Sequence, residues 1–324
     1  RGHAFEARIY AEDAEKGFMP AIGTLSHLSF PAQCRVDSGV RQGDTVTPYY
    51  DPMIAKLTVH AEDRSQALNA LRNALNDCHV DGCIANVGFL HRLASHAGFI
   101  AGEFDTGLIE RDLDALIRVE QPDQRLTAIA AMASCGLLSQ PTGDDAWETL
   151  SGWRQWSEAK QFTHLLWRDE SITCQVVSHH SGEMVVSFDD NTLHVEVIDA
   201  SADQYRLRCG DELLTMRVLQ SERTVTLFRE GQTHRFFLPD QLSDLDNAGV
   251  AENTILSPMP GKIVSVSVNP GDTLSEGDAV MVMEAMKMEH TLCAPRDGVV
   301  AEIPVTEGDQ ISEGTLMLRM ETET

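Results

Sequence analysis

Residues 261–284 read GKIVSVSVNPGDTLSEGDAVMVME, and residues 298–321 read GVVAEIPVTEGDQISEGTLMLRME. Laid over one another at an offset of 37 with no gap, the two stretches are identical at nine of 24 positions: Gly261/Gly298, Val268/Val305, Gly271/Gly308, Asp272/Asp309, Ser275/Ser312, Glu276/Glu313, Gly277/Gly314, Met283/Met320 and Glu284/Glu321. Apolar residues also match in kind, as in Ile263/Val300 and Leu274/Ile311. Each copy predicts strand, Gly-Asp turn, Gly turn, strand, with glycine supplying the positive φ of the turns. One copy cannot bury a face alone. Two copies paired about a pseudo-twofold axis close a small β-barrel.

The symmetry singles out the link between the copies, Ala285-Met286-Lys287-Met288-Glu289-His290. Its symmetry mate is the place where the chain comes into and leaves the module, so the link belongs at the opposite end, with Lys287 presented on a tight, exposed hairpin. Two exposed methionines beside it bring the fold no benefit and suit a surface that another protein reads. His290 is expected to face solvent.

Working outward, 25 basic against 50 acidic residues give a formal charge of −25, which argues against nucleic-acid binding and against a polybasic membrane anchor. The longest mostly apolar stretch, 127–138, is too short to span a bilayer. Length suggests two or three domains, and 42% hydrophobic with 23% charged residues is globular composition. Seven scattered cysteines with no CxxC pair read as reduced, small core residues of a cytosol-like compartment. Twelve histidines without HxxxH or HxH spacing give no metal site in this chain. The chain starts at Arg1 in what reads as the middle of a strand, so a preceding segment is expected, and with it any targeting peptide.

Residues 1–112 read as α+β, with short strands at 4–10, 23–30, 34–40 and 53–60. Asp63 is a candidate cap for a helix whose face is Leu68, Leu71, Leu75 and Cys78, and Asn86 is a candidate start for another. Neither GxxxxGK[ST] nor GxGxxG after a strand occurs. Residues 113–245 carry one helix near 126–138, with Leu126, Ile129, Ala133 and Leu137 on one stripe, then all four tryptophans (147, 153, 156, 167), then repeated two-residue alternations. These alternations, from Ile172/Cys174/Val176 to Leu214/Met216/Val218, predict an antiparallel barrel or sandwich. The tryptophans read as hydrophobic packing, or as a protein-contact patch. Residues 246–253 lie in an acidic connector that suits a flexible linker, and 254–324 form the duplicated module.

Glu284-Ala285-Met286-Lys287-Met288, with Pro258-Met259-Pro260-Gly261 ahead of it, resembles the biotin-attachment hairpin of biotin carboxyl carrier domains. Lipoyl domains share the barrel but usually flank their lysine with Asp and Ala. The opening run Arg1-Gly2-His3-Ala4-Phe5-Glu6-Ala7-Arg8-Ile9-Tyr10-Ala11-Glu12-Asp13 resembles the C-terminal part of biotin carboxylase, as do Arg35–Gly39, Tyr49–Leu57 and Asn86 with Phe89-Leu90. The middle segment is similar, by its order and pattern, to the connecting domain of acyl-CoA carboxylase α subunits. Arg-Gly-His-Ala and Met-Lys-Met-Glu-His-Thr look closest to the 3-methylcrotonyl-CoA carboxylases, with propionyl-CoA and geranyl-CoA carboxylases next.

What this resemblance implies is specific. Lys287 is the attachment point for biotin, which makes an amide with the lysine and hangs on a long arm over a rigid base. Arg8 stands where the family keeps an arginine beside the ureido ring. There a permanently charged guanidinium meets the enolate-like oxygen formed when the ring nitrogen loses its proton. Asp51 has two open readings, support for a basic neighbour in that site or a turn-starting residue before Pro52. ATP, Mg²⁺ or Mn²⁺ and bicarbonate are handled in the family by an upstream ATP-grasp region whose residues have no match here. The implied partners are a carboxyltransferase β subunit, a biotin protein ligase and an acyl-CoA, in a hetero-oligomer. The implied location is cytoplasmic, or the mitochondrial matrix in a eukaryote. A reading from another class treats the chain as a non-enzymatic biotinyl carrier and assembly module. A decarboxylase sodium pump disagrees with the signature that begins at Arg1.

Overall fold

The computed structural model describes residues 1–47, 49–138, 158–168, 170–179, 182–239, 254–257, 261–285, 288–312 and 314–321. Trp147, Trp153, Trp156, the expected linker 246–253 and the pair Met286-Lys287 lie outside the described residues.

The N-terminal segment is built on an antiparallel sheet in which Met53–Ala61 lies between His3–Tyr10 and Arg35–Ser38. Ile9, Leu57 and Val59 bury one face under the helix Arg64–Asn76, whose Leu68, Leu71 and Leu75 repeat at helical spacing. Asp63 caps that helix, its carboxylate accepting from the Gln66 amide at 2.8 Å. The strand expected over 23–30 is split into Gly23–Thr24 and His27–Ser29. The two pieces pair with different partners, Thr45–Val46 and His79–Asp81, so the chain turns inward at the fully buried Leu25 between them.

In the middle segment, eight antiparallel strands from Ala159–Trp167 to Gln232–Phe237 close into a barrel, the last pairing back on the first at Leu166 and Phe237. The helix Gln124–Ser134 runs within the same core as the inward-facing Cys174, Val186, Leu207 and Leu227. The expected one-sided stripe is therefore too narrow. Every residue from Leu126 to Ala133 is buried. A helix enclosed on all sides needs apolar residues all round, and Ala128, Ala130, Ala131 and Ala133 keep it thin enough to fit. It also ends earlier than expected. Gly136, at φ 71°, donates to Ala133 O at 2.8 Å and Leu137 donates to Met132 O at 2.9 Å, a two-bond stop that returns the chain. Trp167, the described tryptophan, is buried in this core.

The last segment is a flattened barrel of two four-stranded sheets. One holds Thr254–Leu256, Leu316–Met320, Gly298–Glu302 and Thr273–Leu274. The other holds Met288–Cys293, Ala279–Ala285, Gly261–Val266 and Gln310–Ile311. Each sheet takes strands from both copies of the repeat and one strand flanking them, Thr254–Leu256 or Met288–Cys293, which is why neither copy is a unit by itself. The hydrogen bonds repeat with the sequence. Gly271 donates to Val300 O at 2.8 Å and Gly308 to Ile263 O at 2.9 Å, while Gly277 donates to Ala294 O and Gly314 to Ser257 O. Asp272 and Asp309 each accept from the amide three residues earlier at 2.8 Å.

The N-terminal segment and the middle barrel are joined through polar contacts. Asp81 accepts from Arg235, from Thr226 Oγ1 at 3.2 Å and from Ser26 Oγ at 2.7 Å. Burial pushes the Asp81 carboxyl up, but the Arg235 charge and these hydrogen bonds outweigh it and hold it below the ordinary range. Asn76 Oδ1 accepts from the Gly231 amide at 3.0 Å, and the His79 ring packs on Phe228 at 4.8 Å. Among the described residues, no helix is long and apolar enough to cross a membrane.

Candidate functional site

The residues expected to carry chemistry fall in two places. The first is the outer face of the N-terminal sheet. Along His3–Tyr10, Ala7 and Ile9 point into the core, so alternation turns Arg8 outward. Its side chain is 61% exposed, with Nε 3.4 Å from Glu6 Oε1. Hydrogen bonding to Tyr10, then to Glu6, raises the Arg8 pKa further. Register places Lys56 beside Arg8 and Asp37 beside Lys56, so a row Arg8–Lys56–Asp37 crosses the three strands. Asp37 is engaged mainly by Arg35, at 3.1 Å, whose hydrogen bonds lower its pKa, and Lys56 Nζ is 3.9 Å away. Arg8 thus shares no carboxylate with Lys56, and its guanidinium, paired with Glu6, stays on the solvent side of the sheet.

Asn86 fixes the backbone under Arg8, a role that a reading of Asn86 as a helix start does not contain. Its side-chain oxygen accepts from the Tyr10 amide at 3.0 Å, its Nδ2 donates to Arg8 O at 3.3 Å, and its own amide donates to Tyr10 O at 3.0 Å. The side chain is therefore spent on the strand, and the helix Val87–Ser95 begins without a side-chain cap. An Asn beside a resembling motif was visible in the sequence, but its partner, 78 positions away, was not. Asp51 is used locally: its Oδ1 accepts from the Met53 amide at 3.0 Å and starts the strand Met53–Ala61.

The second place is the link between the repeats. Ala279–Ala285 and Met288–Cys293 pair antiparallel, with Glu284 opposite Glu289 and Ala285 opposite Met288. That register leaves two residues, Met286 and Lys287, to join the strands. Met283 is fully buried directly behind, as is its repeat mate Met320, so the strands leading to the link are anchored in the core. Lys262 lies opposite Glu284 on the next strand, and Glu284 is exposed, which puts carboxylates at 284 and 289 next to the link. A two-residue connection between anchored strands fits a covalently attached group whose position has to be set by its base. His290 departs from expectation. It is half-buried opposite Met283, and its Nε2 is buried with no hydrogen-bond partner.

Cys78, Cys83, Cys174 and Cys209 are buried, and burial pushes the thiols of Cys78 and Cys174 up to about 12 and those of Cys83 and Cys209 to about 11. Cys293 is exposed, on the outermost strand of its sheet, and is not a core residue. Among the described residues, no group of three or more His, Cys, Asp or Glu side chains is placed to hold a metal ion.

Comparison with known proteins gives three consecutive matches. Residues 6–111 match the family model "Biotin carboxylase C-terminal domain", residues 122–237 match "Methylcrotonyl-CoA carboxylase, alpha-subunit, BT domain", and residues 253–320 match "Biotin-requiring enzyme". A Dictyostelium discoideum protein named "Methylcrotonoyl-CoA carboxylase subunit alpha, mitochondrial" is 36% identical over 310 residues, covering 89% of this chain and 44% of that protein. The rat protein of the same name is 34% identical, covering 89% and 43%. A Caenorhabditis elegans "Propionyl-CoA carboxylase alpha chain, mitochondrial" is 28% identical, covering 89% and 43%. The chain thus spans a little under half the length of the curated relatives it matches.

Proposed function

We infer, from a chain that belongs along its length with the α subunits of biotin-dependent acyl-CoA carboxylases, that it is the biotin-bearing and subunit-docking part of such an enzyme. The observation that carries this reading is the register of the link: core-anchored strands, paired up to Ala285 and Met288, with Met286-Lys287 between them.

In this reading the Lys287 amine forms an amide with biotin, and Glu284, Ala285, Met286 and Met288 are what a biotin protein ligase recognises. Attached biotin supplies a ureido nitrogen that takes up CO₂ derived from bicarbonate and releases it to an acyl-CoA. The duplicated barrel supplies a stiff base for that arm, raising its effective concentration at each reaction centre. Arg8 presents N–H donors and a permanent charge to an oxygen that gains negative charge, and Asn86 holds the strand on which it stands. ATP, Mg²⁺ or Mn²⁺ and bicarbonate are bound mainly by the upstream ATP-grasp region of the complete subunit.

The middle barrel docks a carboxyltransferase β subunit, and the acyl group is 3-methylcrotonyl-CoA. The match of residues 122–237 and the names of the more similar relatives support that choice over propionyl-CoA. The chain works in the mitochondrial matrix or in a cytoplasm, in keeping with seven unpaired cysteines.

Co-expression with a biotin ligase tests the attachment. Intact-protein mass should show one biotin per chain, at Lys287, and none on Lys287→Ala. Biotin at another lysine, or none on the wild-type chain, overturns the reading. The acyl choice is tested by assembling the complete α subunit with a carboxyltransferase subunit and comparing kcat/KM for 3-methylcrotonyl-CoA and propionyl-CoA.

A further inference from the structure

Between the N-terminal segment and the middle barrel lies a cleft of about 310 Å³ that the function proposed above does not use. Its lining is largely apolar, with Val80, Phe89, Ile117, Val119, Trp167 and Phe237 drawn from both sides of the joint. Three arginines also reach it, Arg92, Arg168 and Arg235. Two of them are committed. Arg168 donates to Glu15 at 2.5 Å and lies over the Trp167 ring at 5.0 Å, and Arg235 is held by Asp81. These pairs also neutralise Glu15, and Asp13 lies 3.9 Å from Lys16.

Arg92 is arranged differently. Its Nε donates to the backbone carbonyl of Leu116 at 2.6 Å, which fixes the plane of the guanidinium. No carboxylate among the described residues stands within ion-pair distance of it; Glu120 and Glu15 act on it only at longer range. The space its head occupies is made by Gly88, one helical turn earlier. A Cβ at position 88 would lie 3.4 Å from Arg92 Nη1, 3.7 Å from Nη2 and 3.5 Å from Gly231 O of the barrel. The two Nη groups therefore sit in the gap between the helix and the barrel turn. Burial disfavours the charge of this group, so a counter-ion delivered to the cleft is stabilised by a charge already desolvated and oriented.

We propose that this cleft binds a small organic carboxylate with an apolar body, its acid group on Arg92 and its body against Trp167, Phe89 and Phe237. The site draws on both the N-terminal segment and the barrel, so occupancy holds the two together, and the joint becomes a place where a metabolite acts on how the α subunit is assembled. Phosphate alone has no apolar body and should bind far more weakly.

Titration calorimetry on the full chain tests this, with benzoate as probe, benzamide as its neutral counterpart and inorganic phosphate as the bare anion. Saturable benzoate binding below about 1 mM is expected, with neither benzamide nor phosphate binding in that range. Arg92→Gln should weaken benzoate at least tenfold. Ile84→Trp, a change at a half-exposed residue lining the cleft, should block it without touching Arg92. Both variants should keep the wild-type far-UV spectrum. Absence of saturable benzoate binding, equal binding of benzamide, or benzoate affinity unchanged in Ile84→Trp overturns the proposal. If Arg92→Gln fails to fold, the Ile84→Trp and benzamide comparisons still decide it.

Discussion

The strand that presents Arg8 and the hairpin that contains Lys287 are held by opposite means. The hairpin is held by its neighbours in sequence: the paired strands Ala279–Ala285 and Met288–Cys293, repeated turns and a core built from two copies of one pattern. The Arg8 strand is held from far away, by Asn86 on its backbone and by a segment that leans on the barrel through Asp81 and Arg235. In the function proposed above, Lys287 carries something between places and needs a base that stays intact by itself. Arg8 would meet the carried cargo in one geometry and can be tied into a larger frame. Local construction suits the first and tertiary construction the second.

The largest expected effect strikes that frame. Asp81→Ala leaves Arg235 partly buried without its counter-charge, at a cost of about 3–5 kcal/mol. Urea unfolding should show the transition of the N-terminal segment and barrel moving to lower denaturant while that of the carrier module stays in place. A single transition shifting for the whole chain would break the comparison.

Acid should act at the same joint. Burial, then the charges of Arg217 and His27, push the His79 imidazole down to about 4, against an ordinary value near 6.5. The unfolded chain takes up that proton first, so stability is complete above about pH 6.5 and is lost as the pH falls toward about 4, by about 3 kcal/mol at the limit. The midpoint temperature of the joint should fall over that window, and His79→Phe should flatten the fall. A pH profile that His79→Phe leaves unchanged would remove His79 from the explanation.

Asn86→Ala should cost about 1–3 kcal/mol, because three backbone contacts near Arg8 lose their partner or their alignment. Amide exchange at Tyr10, slow in the wild type, should quicken, with the carrier amides unaffected. The smallest effect sharpens the symmetry. Gly271 and Gly308 adopt φ 94° and 93°, with open space where a Cβ would stand. Gly271→Ala and Gly308→Ala should therefore each cost about 1–2 kcal/mol through the backbone alone, and by nearly equal amounts. Unequal losses would mean the two halves are not energetically equivalent.

Much of the molecule was legible beforehand, for reasons visible in particular residues. The offset of 37 that pairs Gly271 with Gly308 also pairs their hydrogen bonds, since a repeated turn needs the same φ wherever it occurs. The two-residue alternation from Ile172 onward became seven of the eight closed strands because one buried face is enough to dictate the period; the first strand, Ala159–Trp167, was not among the alternations read from the sequence. Less legible was the helix Gln124–Ser134. Its wide ring of alanines makes sense only once strands surround it, and a linear pattern does not say what lies on its far side. His290 and Cys293 ran opposite ways although both stand on the outermost strand Met288–Cys293: they are three positions apart, so alternation turns His290 inward, opposite Met283, and Cys293 outward.

The amino-acid order alone determined the duplicated carrier, its link at Ala285–Met288, and the alternating pattern that closes the middle barrel, because these depend on contacts between residues near in sequence or related by a repeat. Only the tertiary structure decided that Asn86 grips the Arg8 strand, that Asp81 ties two segments together and that Arg92 faces a cleft without a counter-ion. Those arrangements join residues dozens to more than a hundred positions apart, where partner choice depends on which surfaces the whole fold brings face to face.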